Sequence, residues 1–191
     1  ADAAALGEVV AGAGRGCTNA VMLTIGTGFG TGVIINGHLY TGFGVGSTEF
    51  GHTVMVANGG KCTCGRKGCV EYYATATALI REAKAATGLT LNAKQIYERV
   101  DAGDSTLKAV LDQYLDYLKI AVANAANTYN PEIIIMGGGM SAQKERLTDP
   151  LNEFLQQECF GAAYRPIARV VPASLGNDAG IIGAACLLND E

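Results

Sequence analysis

The sequence lacks the marks of several protein classes. Its most apolar segment, Ala179 to Leu188, falls short of the ~20 residues that span a bilayer, so it predicts a buried helix and sets a membrane role aside. No basic start followed by an apolar stretch marks a secretory leader. No internal repeat, low-complexity tract or run of one charge divides the chain, so one compact domain is expected. Charge itself is sparse. Charged residues make up 17% and the formal net charge is −4, which argues against a nucleic-acid surface spread over the domain. Apolar residues reach 49%, which excludes a disordered tail. A chain of 191 residues buries roughly 70% of its unfolded surface and needs no staples to build a core. The chain has no initial Met and opens inside a helix, which suggests a piece of a longer protein.

Two residue types are unusual in amount or placement. Glycine occurs 26 times, about twice the usual share, as expected of many tight turns or a backbone that closely approaches a ligand. Of 6 cysteines, Cys17, Cys159 and Cys186 stand alone and are expected to be small core thiols. Cys62, Cys64 and Cys69 crowd into one loop. A disulfide framework is spread through a short secreted chain, whereas clustered thiols look like metal ligands in a reducing, cytoplasmic setting.

Periodicity predicts a short helix over residues 2–14, a strand from Asn19 to Ile25, and a second from Gly32 to Ile35. Asn36-Gly37 is a two-residue hairpin turn, with His38 to Tyr40 as the return strand and His38 exposed. These three strands form an antiparallel meander. Thr53 to Ala57 suggests another strand. Helices follow over Val70–Ala86, Ala93–Asp101 and Ser105–Thr128. Glu132 to Met136 is a continuous apolar run suited to a strand covered on both faces. A helix from Ala142 to Gln157, a strand from Ile167 to Val171 and a helix from Asp178 to Leu188 complete the order. A meander continued by alternating strands and helices gives an α/β fold, a mixed sheet with helices on both faces.

His52, Cys62, Cys64 and Cys69 are spaced +10, +2 and +5. Three thiolates and one imidazole match a closed tetrahedral zinc site, and soft thiolates select zinc over magnesium or calcium. Gly59, Gly60, Gly65 and Gly68 supply the bends that turn three sulfurs towards one ion. Four protein ligands leave no open position, so such an ion would fold the loop and would not activate water. The plainer alternative is three free thiols beside an unrelated histidine.

Glu49-Phe50-Gly51-His52, followed by Cys62-Thr63-Cys64-Gly65-Arg66-Lys67-Gly68-Cys69-Val70-Glu71, resembles the signature of the ROK family of bacterial glucokinases, other sugar kinases and sugar-responsive repressors. That signature reads E-x-G-H, then C-x-C-G-x-x-G-C-x-E, and every fixed position is present. The resemblance continues in Ile25 to Gly28, Ile135 to Gly139 and Leu175 to Gly180, so it covers essentially the whole chain. It implies the actin-like/ribonuclease-H-like ATPase fold, with two such domains around a cleft. Residues 1–191 would be the larger, C-terminal domain, with the N-terminal domain absent.

The same resemblance implies roles for particular residues. Glu49, His52 and Glu71 would hydrogen-bond sugar hydroxyls. One ring nitrogen of His52 would face zinc and the other the sugar. For Glu71 the plainer reading is a helix first-turn carboxylate favoured by the dipole. Gly26, Thr27 and Gly28 resemble the family's phosphate segment, and Gly137, Gly138 and Gly139 its adenosine segment. Taken alone, both glycine groups are also compatible with turns and packing. Arg66 and Lys67 are expected to be solvated. In the family the proton acceptor is an Asp in a segment like N-D-A-N-x-A-A-L-G-E. Alignment on Leu6-Gly7-Glu8 puts that Asp just before Ala1, and Asp2 does not take its place. No catalytic residue is therefore assigned within the chain, which is expected to be inactive alone.

The implied activity is phosphorylation of a hexose, glucokinase-like, at its 6-hydroxyl, using ATP with Mg²⁺ and a structural Zn²⁺, in a cytoplasmic homodimer without nucleic-acid binding through this domain. The alternatives are the sugar-sensing domain of a repressor, or a kinase for N-acetylmannosamine, N-acetylglucosamine or fructose. Ser47-Thr48 departs from the Ala-Gly usual in glucokinases, which leaves the sugar open.

Overall fold

Alternation along the central strands sets the architecture. The structure, a computed structural model, describes residues 1–44 and 48–187; the readings that fall on Ser47 and Leu188 lie outside the described residues. Strands β1 (Ala20–Ile25), β2 (Phe29–Ile35), β3 (His38–Leu39), β4 (Ile133–Gly137) and β5 (Arg169–Pro172) form one sheet in the order β3-β2-β1-β4-β5. The β1–β2 and β2–β3 pairs are antiparallel, giving the expected meander, while β1–β4 and β4–β5 are parallel. Val21, Leu23, Ile25, Ile134 and Met136 join one apolar cluster, and Ala20, Met22, Ile133 and Ile135 join another. A strand can feed two cores only because successive side chains point to opposite faces. The turn between β2 and β3 places Asn36 and Gly37 at φ 53° and 84°, as a two-residue hairpin requires.

The helices are α1 (Asp2–Ala11), α2 (Val70–Tyr73), α3 (Ala76–Thr87), α4 (Ala93–Asp101), α5 (Ser105–Tyr129), α6 (Glu145–Glu158) and α7 (Asp178–Cys186). Leu79, Ile96, Leu118 and Leu151 of α3 to α6 cover one face of the sheet. Leu6 of α1 and Cys186 of α7 belong to the other. Helices α1 and α7 cross so closely that a Cβ on Gly7 would run into the Ala179 carbonyl, and one on Gly183 into that of Ala3. The carboxylate of fully buried Glu8 accepts from the backbone N–H of Ala13 (2.7 Å), Ser174 (2.9 Å) and Leu175 (2.8 Å) and from Ser174 Oγ (3.1 Å). Those donors satisfy the buried charge and fasten α1 to the β5–α7 connection.

Four expectations need correction. Residues 53–57 form no strand; Val54 makes one isolated bridge with Cys69 and the Met55 N–H donates to Gly68 O, so this backbone closes the cysteine loop instead. The helix expected over 70–86 breaks after Tyr73, because the Thr75 hydroxyl accepts from Ala78 N and caps a new helix, α3. Residues 139–143 form a 3₁₀ turn, and Lys144 at φ 47° resets the backbone before α6 begins. The segment from Ala179 was expected to be buried, yet Ile181 is 71% exposed; only Ala179 and Gly183 of α7 are buried, since the contact with α1 uses one narrow strip of small residues. Among the single thiols, Cys159 is buried as expected and Cys17 and Cys186 are half-buried. His38 is exposed. No helix among the described residues is long and apolar enough to cross a membrane.

Candidate functional site

The cysteine loop is held by its own backbone. Cys62 N–H donates to Arg66 O at 2.8 Å, Gly65 N–H to Cys62 O at 3.0 Å, and Gly68 N–H to Gly60 O at 2.8 Å. Gly65 and Gly68 take φ 90° and 80°, where a side chain would be strained. The 3₁₀ turn Phe50–His52 lies against the loop, and Arg66 donates a guanidinium N–H to His52 O at 3.2 Å.

This scaffold brings one ligand atom each of His52, Cys62, Cys64 and Cys69 within 4.8 Å of one another. Cys64 Sγ and Cys69 Sγ are 3.7 Å apart, as are Cys62 Sγ and His52 Nδ1. Sulfurs at ~2.3 Å from one tetrahedral zinc lie ~3.8 Å apart, while a disulfide needs ~2.05 Å. The spacing therefore fits a shared cation and not a disulfide. Burial first, and then the neighbouring Cys64 and Cys62 thiols, push the Cys69 thiol up to about 12. The Arg66 backbone N–H is the main cause of a lowered value at exposed Cys64. A cation among these thiols would offset the cost of their ionised forms.

The predicted carboxylates border this cluster. His52 Nδ1 faces the sulfurs, and its Nε2 lies 3.9 Å from Glu49 Oε2, on a side chain that is 67% exposed. Glu71, in the first turn of α2, accepts from Phe29 N–H through Oε2 at 3.2 Å and from Thr63 Oγ1 through Oε1 at 2.9 Å. Cys62 Sγ is 3.6 Å from the same Oε1.

The two glycine segments meet although 110 positions separate Gly28 from Gly138. The turn after β1 is pinned to α3 by Ala76 N–H donating to Gly26 O (3.0 Å) and Thr77 Oγ1 donating to Thr27 O (3.1 Å). Gly138 follows β4 at φ 75°, with its backbone against Ile25 O. A hollow of about 410 Å³ is lined by Thr24, Gly26, Gly28, Phe29, Gly30, Glu71 and Gly138. It lies outside the carboxyl ends of the parallel pair β1 and β4, the usual ligand position in open α/β sheets. Thr27 lines an adjoining hollow of about 200 Å³ with Cys62, Thr63 and Glu71. Gly137 is buried within β4, where a Cβ would meet Met22 Cε at 2.5 Å, and Gly139 has open space around it. A roomier hollow, about 470 Å³ around Arg165 and Arg169, sits at the opposite end of the sheet, away from all of these groups.

A family model described as ROK family matches residues 1–191. The chain belongs to the ROK family. The glucokinase of Halalkalibacterium halodurans is 36% identical over 100% of this chain and 62% of its own length. The xylose repressor of Bacillus subtilis is 32% identical over 100% of this chain and 49% of its own length. A ROK family glucokinase from Streptomyces griseus, solved in complex with glucose and AMPPNP, matches 98% of this chain and 65% of its own at 35% identity and TM-score 0.88. A ROK hexokinase from Thermus thermophilus matches at 31% identity and TM-score 0.88. This ROK chain thus spans just under two thirds of the length of the glucokinases it matches. Its fold is the actin-like ATPase fold of the ROK sugar kinases.

Three residues of this ROK chain gave no signal of their contacts. Glu8 stands in an ordinary helix pattern, and besides the nearby Ala13 its partners are 166 and 167 positions away. Arg66 is exposed, as expected, and in addition fastens the His52 carbonyl. Thr63 occupies a position that the cysteine signature leaves open.

Proposed function

We propose that residues 1–191 are the larger, C-terminal domain of an ATP-dependent ROK hexose kinase, glucokinase-like, acting on the sugar 6-hydroxyl. One observation carries the reading: the carboxylate of Glu71 forms a wall of the hollow that Gly26, Gly28 and Gly138 also line, and it reaches the cysteine loop on its other side. A polyol bound by Glu49, His52 and Glu71 would lie beside a backbone turn able to meet phosphate oxygens. Carboxylates accept hydroxyl protons at fixed angles, and N–H groups next to glycine approach phosphate without Cβ interference.

His52, Cys62, Cys64 and Cys69 would hold zinc, which supplies a rigid cross-link in a closed ligand set and no activated water. In phosphoryl transfer the sugar oxygen bonds to the γ-phosphorus and the bond to the β–γ bridging oxygen breaks. The hydroxyl proton passes to a carboxylate, and ADP leaves. In this reading that carboxylate is the Asp expected just before Ala1, and Mg²⁺ accompanies the nucleotide. A coupled assay of the full-length protein against a panel of hexoses tests the reading. Glucose-dependent ADP release is expected, and no turnover with any hexose overturns it.

The 32% identity with a xylose repressor supports a second reading, a sugar-sensing domain. Residues upstream of Ala1 separate the two. An Asp directly before Ala1 and a glycine-rich phosphate loop accompany a kinase, and a basic helix-turn-helix accompanies a repressor.

A further inference from the structure

The Gly26–Gly28 turn is flanked by two hollows, and among the described residues Glu71 is the only lining residue they share. Its two oxygens are used differently. Oε2 receives the Phe29 N–H at the end of the turn, at 3.2 Å, while Oε1 receives the Thr63 hydroxyl from the cysteine loop, at 2.9 Å. A carboxylate is planar, so fixing one oxygen fixes where the other points. Gly28 leaves room for this arrangement, since a Cβ there would stand 3.0 Å from Glu71 Oε2. Thr63 is itself exposed and flanked by Cys62 and Cys64, so the order of the cysteine loop decides where its hydroxyl sits.

We propose that Thr63 is a positioning residue: its hydroxyl holds the Glu71 carboxylate against the Phe29 amide and thereby couples the cysteine loop to the 26–30 turn. Without that hydroxyl, Oε1 has no side-chain O–H to accept, and the carboxylate turns about its last torsion. Hexose contacts and the phosphate-facing turn then loosen together. The consequence for catalysis rests on the kinase reading; the Thr63–Glu71–Phe29 tie does not.

The experiment uses the full-length, metal-loaded protein with Thr63→Val, which keeps the shape and removes the hydroxyl, and Thr63→Ser, which restores it. Hydrogen exchange at the Phe29 amide is read first. Losing a hydrogen bond to a charged acceptor corresponds to about a tenfold effect, so exchange should quicken about tenfold in Thr63→Val and return in Thr63→Ser. Zinc content should stay equal in all three proteins. The KM values for glucose and ATP should rise together in Thr63→Val with kcat nearly unchanged. Unchanged exchange at Phe29 overturns the proposal, as does loss of metal in Thr63→Val, because the hydroxyl would then serve the loop's own fold. Faster exchange in a protein that phosphorylates no hexose leaves the tie standing and overturns the kinase reading instead.

Discussion

The sheet and the cysteine loop are ordered by different means. In the sheet, β1 and β4 bury nearly every residue, and two apolar clusters divide the load over many side chains. Residues 53–69 contain no helix or strand, and two isolated bridges are their only ladder-type pairings among the described residues. What converges inside the loop is three sulfurs and an imidazole. Burial is distributed and non-directional, so the sheet loses stability by increments. An ion held there, as proposed, would concentrate its effect on four atoms, so the loop would depend on each of them.

The strongest way to break this comparison is to remove the proposed ion. Cys64→Ser, at an exposed position, should lose zinc by elemental analysis and with it most of the glucose affinity read by titration calorimetry. Far-UV circular dichroism should barely change. Glucose affinity that survives zinc loss would mean the loop only braces the surface. The converse change is Leu118→Ala in the large cluster, where the side chain is fully buried. Urea unfolding should show a loss of about 3 kcal/mol with zinc content intact.

Glu8→Gln sharpens the comparison by probing a polar cross-link inside the apolar region. It should cost about 2 kcal/mol, since a neutral amide accepts fewer of the Ala13, Ser174 and Leu175 donors. Tyr114→Phe has the opposite sign. The Tyr114 hydroxyl is buried and has no hydrogen-bond partner among the described residues, so its removal should stabilise the fold by about 1 kcal/mol.

The last effect, a pH dependence at Tyr97, shows only in alkaline solution. Burial pushes this phenol up to about 12 from an ordinary value near 10, with Arg146 opposing. The folded chain therefore keeps the proton longer than the unfolded chain does. The stability contribution is complete below pH 10 and is lost as pH rises towards 12. Tyr97→Phe should move the alkaline unfolding midpoint upward.

Much of the fold was legible because its signals are local. Asn36-Gly37 names its own turn, Ile133 to Met136 names a strand covered on both faces, and the 25-residue α5 shows its period directly. The cysteine cluster was legible for the same reason, as the bends and ligands lie within one short segment. The break at Thr75 was hidden because the apolar period runs through it while a hydroxyl takes over the backbone N–H. The exposure of Ile181 was hidden because apolar character measures what a side chain favours, not whether a neighbour covers it.

Chemistry carried by neighbours in the chain was set by the order of residues: the paired strands, the hairpin, and the candidate metal-ligand set with its glycine bends. Tertiary structure alone decided that Gly26 and Gly28 meet Gly138, that Glu71 links Thr63 to the Phe29 amide, and that Glu8 is satisfied from across the molecule. Hydrogen bonds and close backbone approaches act over about 3 Å. They depend on which distant segments the two apolar cores bring together, and no spacing along the chain encodes that distance.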